Sequence, residues 1–179
     1  MTKLIIIRHC KANGQEPDAQ LTTEGLQQAD ELVEFLEHYN ISGIISSPFT
    51  RTIQTITPYA VSKNIQIEVD ERLKERILSS GNLPDWYEKL QQSFQKPNLK
   101  FPGGESSNEA TRRILTLVTD LKNLDFEYIA LVTHGNLTAL LLNYISQNFG
   151  FKEWQQLSNP DIYIVESQSD QLNYKRIWK

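Results

Sequence analysis

Three observations predict an α/β fold. Two aliphatic runs, Leu4-Ile5-Ile6-Ile7 and Tyr128-Ile129-Ala130-Leu131-Val132, read as strands buried on both faces, the habit of parallel strands. Segments with apolar residues at helical spacing separate the strand-like runs. Strands that alternate with helices indicate βαβ units around a mostly parallel sheet.

The first strand ends on Arg8-His9, and a polar loop over residues 11–20 follows. Leu21-Thr22-Thr23-Glu24-Gly25 opens a helix that Thr22 or Thr23 can cap, with Glu24 at the positive end. Leu26, Ala29, Val33 and Leu36 give it one core-facing stripe, and it runs to about His38. Residues 41–46 read as a second strand. Ser47-Pro48-Phe49-Thr50 turns into a helix carrying Arg51, Ile53 and Ile56, which Pro58 should kink or shorten. Residues 65–69 alternate and make a third strand.

From Glu71 to Gly104 the pattern loosens, punctuated by Gly81, Pro84, Pro97, Pro102, Gly103 and Gly104. One short helix over 85–95 sits in this stretch, which reads as a lid-like excursion at about 76–104 within a single domain of residues 1–179. Its Trp86, Tyr87 and Phe94 read as packing residues before substrate contacts. Ser106-Ser107-Asn108-Glu109 is a capping box opening a helix with Ala110, Ile114, Leu117, Val118 and Leu121 on one face. The strand over 128–133 then ends on His134, and Gly135-Asn136 leads into a leucine-rich helix. Residues 162–165 and 174–178 are late strands expected at the sheet edge.

Composition bounds the function. Of 179 residues 39% are hydrophobic and 22% charged, with a net charge of −4, so a basic nucleic-acid-binding face is not expected. A small anion held by a few local cations remains compatible. Cys10 is the single cysteine, which rules out an intrachain disulfide and suits a reducing compartment. The first strand begins at residue 3 and no apolar run reaches transmembrane length, so a cytoplasmic protein without signal peptide or membrane partner is expected. The oligomeric state has no signature in the chain.

Chemistry-bearing residues gather at strand ends. His9 and His134 each follow a buried strand, and a parallel sheet brings such tips to one edge, where ligands of open α/β sheets bind. A third tip leads to Arg51 in the first turn of a helix, where a cation opposes the macrodipole by about 0.3–1 kcal/mol. A bound anion would remove that conflict. With Arg8 the point has two guanidinium groups and two imidazoles, and Arg suits bidentate grip on phosphate oxygens. Taken singly, His134 is an ordinary strand-end histidine, Arg51 a surface cation and Glu75 a solvated carboxylate in a charged run; only the joint pattern is informative.

That pattern resembles the histidine phosphatase superfamily, also called the phosphoglycerate-mutase-like family. Arg8-His9 resembles its Arg-His-Gly motif, and Leu21-Thr22-Thr23-Glu24-Gly25 with Gln28-Ala29 its first helix start. Ser46-Ser47-Pro48-Phe49-Thr50-Arg51-Thr52 with Gln54-Thr55 resembles its second-arginine segment, and Leu73-Lys74-Glu75-Arg76 the segment carrying the acid. Gly104-Glu105-Ser106 and Val132-Thr133-His134-Gly135 complete the series in order, over about residues 3–165. One departure is Cys10, which stands where the family has glycine after the histidine. Lys11 adds a positive charge near the mouth.

The resemblance implies a three-layer α/β/α sandwich and a phosphomonoester hydrolase that acts on a small phosphorylated metabolite, with no metal or other cofactor. His9 is then the nucleophile that becomes phosphohistidine, its other nitrogen tied to a backbone carbonyl. Arg8, Arg51 and His134 hold the phosphate oxygens, Gly135 adds close backbone approach, and Asn13 is a further phosphate contact. Glu75 protonates the leaving oxygen, with Glu71 close by in sequence. The alternatives are mutase-type phosphotransfer and a non-catalytic phosphate-binding module. The short stretch between Glu75 and His134 favours hydrolysis under a small lid. A metal site of His9, Cys10, His134 and Glu75 lacks the usual ligand spacing, and a cysteine phosphatase built on Cys10 would need arginine where Glu16 stands. The physiological substrate is open among sugar phosphates, nucleotides, cobalamin-precursor phosphates and protein phosphohistidine.

Overall fold

The structure, a computed structural model, describes residues 2–168 and 171–179. Six strands form one sheet in the order β3-β2-β4-β1-β5-β6: β1 Lys3–Arg8, β2 Ile41–Ser46, β3 Ile67–Val69, β4 Tyr128–Thr133, β5 Asp161–Gln168 and β6 Gln171–Arg176. The first four in that order are parallel, while β5 pairs antiparallel with β1 and β6 with β5. Helices α1 Thr23–Leu36 and α2 Thr50–Lys63 follow the first two strands, and α3 Trp86–Gln95 lies in the excursion. Next come α4 Ser107–Leu121, α5 Gly135–Ile145 and the short α6 Phe151–Gln155.

The pleat explains the layers. Successive residues of a strand face opposite sides of the sheet. Ile5, Ile7, Ala130 and Val132 pack into a core that contains residues of α1 and α2. Leu4, Ile6, Ile129 and Leu131 pack into a second core with residues of α4 and α5. Both faces are covered, so the central strands need no polar positions, as their continuous aliphatic runs required.

The register sets the site. β1 and β4 pair so that Arg8 lies opposite Thr133, and the His9 backbone N–H donates to Thr133 O at 3.0 Å. His9 and His134 therefore leave the sheet side by side. On the other flank Ser47 N–H donates to Val132 O at 2.9 Å, so the β2 tip lies beside the same edge.

Several expectations are corrected. Leu26 is exposed, and the buried stripe of α1 is Gly25, Ala29, Leu32 and Leu36. The cause is close approach of the helix start to the loop before it, since a Cβ on Gly25 would lie 2.0 Å from Lys11 O. Pro58 does not shorten α2, which continues to Lys63. A proline inside a helix costs about 3 kcal/mol, but burial of Ile56, Tyr59 and Ala60 around it outweighs that at roughly 1.5–3 kcal/mol for each large side chain. β3 is shorter than the alternation suggested, and α6 had no sequence signal. Of the two late strands β5 is interior and β6 lies at an edge.

Candidate active site

At the tips of β1, β2 and β4 the four predicted cationic or imidazole residues come together. Each imidazole and guanidinium is placed by a backbone feature of its own strand or helix.

His9 is the most constrained. Its Nδ1 lies 2.6 Å from Cys10 O, and a carbonyl only accepts, so Nδ1 carries the proton. Arg51 Nε, which only donates, points at His9 Nε2 from 3.2 Å. Both contacts leave Nε2 as the lone-pair nitrogen. Burial holds the ring neutral, pushing its pKa down to about 3, with the neighbouring charges of Arg51 and Arg8 acting in the same direction.

Arg51 sits in the first turn of α2 and is almost fully buried. Its Nη1 donates to Glu16 O at 2.8 Å, and its guanidinium lies 5.0 Å from the Phe49 ring centre. The loop over 11–20 thus folds down on the α2 start. Arg8 Nη1 donates to Leu157 O at 2.8 Å and Ser158 O at 3.1 Å, while Arg8 Nε is buried with no partner. Burial lowers the pKa of both guanidinium groups, and the Glu75 charge opposes that shift in each, which puts Glu75 within electrostatic reach of both.

His134 caps α5 and is fully buried, its ring centre 5.2 Å from that of His9. Nε2 contacts Ser47 Oγ at 2.8 Å, and Nδ1 is buried without a partner. Ser47 Oγ also accepts from Phe49 N at 3.4 Å, and where its own proton goes to His134 Nε2 the ring proton lies on Nδ1. Burial depresses the His134 pKa well below its ordinary value, and the charge of Arg51 acts in the same direction. Two unpartnered buried groups, Arg8 Nε and His134 Nδ1, are what a binding site for an oxyanion offers.

The remaining expected residues are placed as follows. Glu75 Oε2 accepts from Asn136 N at 3.0 Å, and Oε1 accepts from Leu137 N at 3.0 Å and Arg76 N at 2.8 Å. The carboxylate therefore sits at the positive end of α5, beside His134. Glu71 is exposed and pairs with Lys74 instead. Gly135 approaches closely, but to Arg8: a Cβ there would lie 2.9 Å from Arg8 Nε. Asn13 is exposed and its amide donates to Leu21 O at 3.3 Å, with no hydrogen bond to the cluster. Lys11 pairs with Glu24 at 2.5 Å on the surface, an interaction worth at most about 1 kcal/mol.

Cys10 does not distort the loop. Among the described residues Asn64 is the one non-glycine with positive φ, so Cys10 has an ordinary backbone conformation. Its side chain is buried in the α1–α2 core, and its N–H donates to Thr55 Oγ1 at 2.9 Å. Burial pushes the thiol up to about 12, the environment of an inert cysteine. Among the described residues no group of three or more His, Cys, Asp or Glu could hold a metal ion, and no helix is long and apolar enough to cross a membrane.

Sequence reasoning missed the partners that hold these groups: Ser47 on His134, the Leu157 and Ser158 carbonyls on Arg8, and Asn159, whose amide donates to His9 O at 2.8 Å. Ser47 had a signal, its place at a strand tip before proline; the other three had none.

Comparison with known proteins shows the family. The family model of the histidine phosphatase superfamily (branch 1) matches residues 4–178. Phosphoserine phosphatase 1 of Hydrogenobacter thermophilus is 25% identical over 150 residues, spanning 75% of this chain and 71% of that protein. Two solved structures share the fold at 22% identity. A phosphoserine phosphatase mutant from Entamoeba histolytica has a TM-score of 0.79, covering 98% of this chain and 95% of that one. A mycobacterial glucosyl-3-phosphoglycerate phosphatase has a TM-score of 0.75, covering 99% and 98%. With its strand-tip histidines, paired arginines and a family match over nearly its whole length, the chain belongs to the histidine phosphatase superfamily, branch 1.

Proposed function

We propose that the protein is a metal-independent phosphomonoester hydrolase in which His9 is the nucleophile. The observation that carries the reading is the pair of contacts on His9: Nδ1–H on Cys10 O and Nε2 facing Arg51. A neutral imidazole with its lone pair fixed toward a cationic pocket is a nucleophile held ready beside an anion site.

In the first step His9 Nε2 attacks phosphorus, the P–N bond forms, and the P–O bond to the leaving group breaks. Glu75, as the acid, gives its proton to the leaving oxygen. Arg8, Arg51 and His134 Nδ1–H stabilise the non-bridging oxygens, and Cys10 O stabilises the ring as it becomes cationic. In the second step water attacks phosphohistidine, Glu75 takes its proton, and His9 returns to the neutral form. Two guanidinium groups and an imidazole N–H supply the positive charge that a metal supplies elsewhere.

Hydrolysis is favoured over mutase-type transfer by the small size of the excursion, whose single helix α3 has ten residues. A mutase must shield its phosphohistidine from water while substrate reorients. The similar proteins named above are phosphatases for phosphoserine and glucosyl-3-phosphoglycerate, so small phosphorylated metabolites are the substrate class to test. A reducing, cytoplasmic compartment suits a chain whose single cysteine is free and buried.

A panel of small phosphomonoesters, including phosphoserine and 3-phosphoglycerate, assayed with and without EDTA, tests the reading. Release of inorganic phosphate unaffected by EDTA is expected. Efficient conversion of 3-phosphoglycerate to 2-phosphoglycerate with little phosphate release would reverse it, and a loss restored by divalent metal would end the metal-independent mechanism.

A further inference from the structure

Glu75 belongs to no helix or strand; it lies between a 3-10 turn, Glu71–Leu73, and the excursion. What holds its backbone is a clamp built from α4. Arg113 Nη1 donates to Arg72 O at 2.7 Å and to Lys74 O at 3.0 Å. The same guanidinium grips Glu105 with two bonds, Nε to Oε1 at 2.9 Å and Nη2 to Oε2 at 2.8 Å. Glu105 then closes the far side of the acid. Its N–H donates to Ile77 O at 2.7 Å, and its carbonyl accepts from Arg76 Nη2 at 3.1 Å and Nε at 3.2 Å. Residues immediately before and after Glu75 are thus fixed to one ion pair, while the carboxylate is fixed separately to the α5 N-terminus.

We propose that Arg113 and Glu105 are positioning residues for proton transfer by Glu75. The inference rests on the reading of Glu75 as the acid. The bidentate Arg113–Glu105 pair also ties the base of the excursion to α4, and that tie alone would be purely structural. Two features point beyond it. Arg113 spends Nη1 on the backbone carbonyls of the acid's own segment, and the segment has no regular secondary structure to keep it in place. A displacement of about 1 Å in a reacting group costs on the order of 10²-fold in rate. Lysine cannot reproduce the four bonds, because it lacks the planar fork.

The test separates proton transfer from general damage. Phosphoenzyme formation is timed by rapid quench with p-nitrophenyl phosphate, whose leaving phenolate hardly needs a proton, and with a primary alkyl phosphate, whose leaving alkoxide does. Arg113→Ala and Arg113→Lys are expected to lose at least roughly tenfold more rate on the alkyl ester than on the nitrophenyl ester. Should Arg113→Ala not fold, Glu105→Gln keeps the volume and is read the same way. Equal losses on the two esters, whatever the change in stability, would reduce the clamp to a structural tie and overturn the proposal. Glu75→Gln is the control. If it shows no leaving-group dependence, the acid assignment fails and the clamp proposal with it. If it does and the Arg113 variants do not, only the clamp proposal fails.

Discussion

The position whose substitution is most instructive is Gly135. A Cβ added there would lie 2.9 Å from Arg8 Nε, 3.1 Å from Cζ and 3.2 Å from Nη2. Ordinary contacts lie at about 3.5–4.0 Å, so in Gly135→Ala the guanidinium must retreat by roughly half an ångström. It has little room to do so, because Nη1 is held by Leu157 O and Ser158 O and Nε is buried. The retreat takes Nε, the unpartnered donor, away from the phosphate it is proposed to hold. Removing one preorganised donor of this kind typically costs about 10²–10³ in kcat, or about 2.7–4 kcal/mol. Fold stability should change far less, since alanine gains up to about 1 kcal/mol over glycine within a helix and offsets part of the crowding. The assay is kcat and KM on p-nitrophenyl phosphate, inhibition by inorganic phosphate, and a denaturant midpoint on the same preparation. A kcat decrease near 10²-fold with weaker phosphate inhibition in a stably folded variant is expected. A folded Gly135→Ala with wild-type kcat and phosphate affinity would refute the placement of Arg8 in the anion site.

Other expectations follow from burial and charge. The unfolded chain protonates His9 below about 6.5 and the folded protein not until about 3, so the unfolded state binds more protons between those values and stability falls as pH drops through that window. At pH 4.5 the loss assigned to His9 is roughly 2.7 kcal/mol, and His9→Gln should remove that share of the pH dependence in denaturation curves; parallel curves for the two proteins would refute it. Buried Cys10, with its thiol pushed up to about 12, should resist iodoacetamide and peroxide in the folded protein and react once denatured; rapid inactivation of the wild type that Cys10→Gly escapes would refute its inertness.

What the chain declares locally was legible before the structure. The two aliphatic runs announce buried parallel strands, and identical strand polarity is enough to bring His9 and His134 to one edge. The Thr22 cap and the Ser106–Glu109 capping box are local hydrogen-bond patterns and were found where expected. What depends on distant segments was not legible. The carbonyls that anchor Arg8 lie about 150 positions away along the chain, and nothing near residue 157 or 158 marks them. The run over 162–165 is as apolar as a parallel strand, so its antiparallel place inside the sheet had no signature. The outward turn of Leu26 follows from a contact between Gly25 and the preceding loop, which helical periodicity cannot register. Glu75 stood out by motif alone; its seat at the α5 N-terminus is purely a product of the fold.

The central claim is covalent catalysis at His9, and rapid acid-free quenching during turnover tests it most directly. Enzyme mixed with labelled phosphomonoester and quenched in alkaline denaturant should carry one acid-labile, base-stable phosphate, mapped by peptide analysis to His9 and missing from His9→Ala. Full turnover in His9→Ala, or phosphate mapped to His134, would contradict the account.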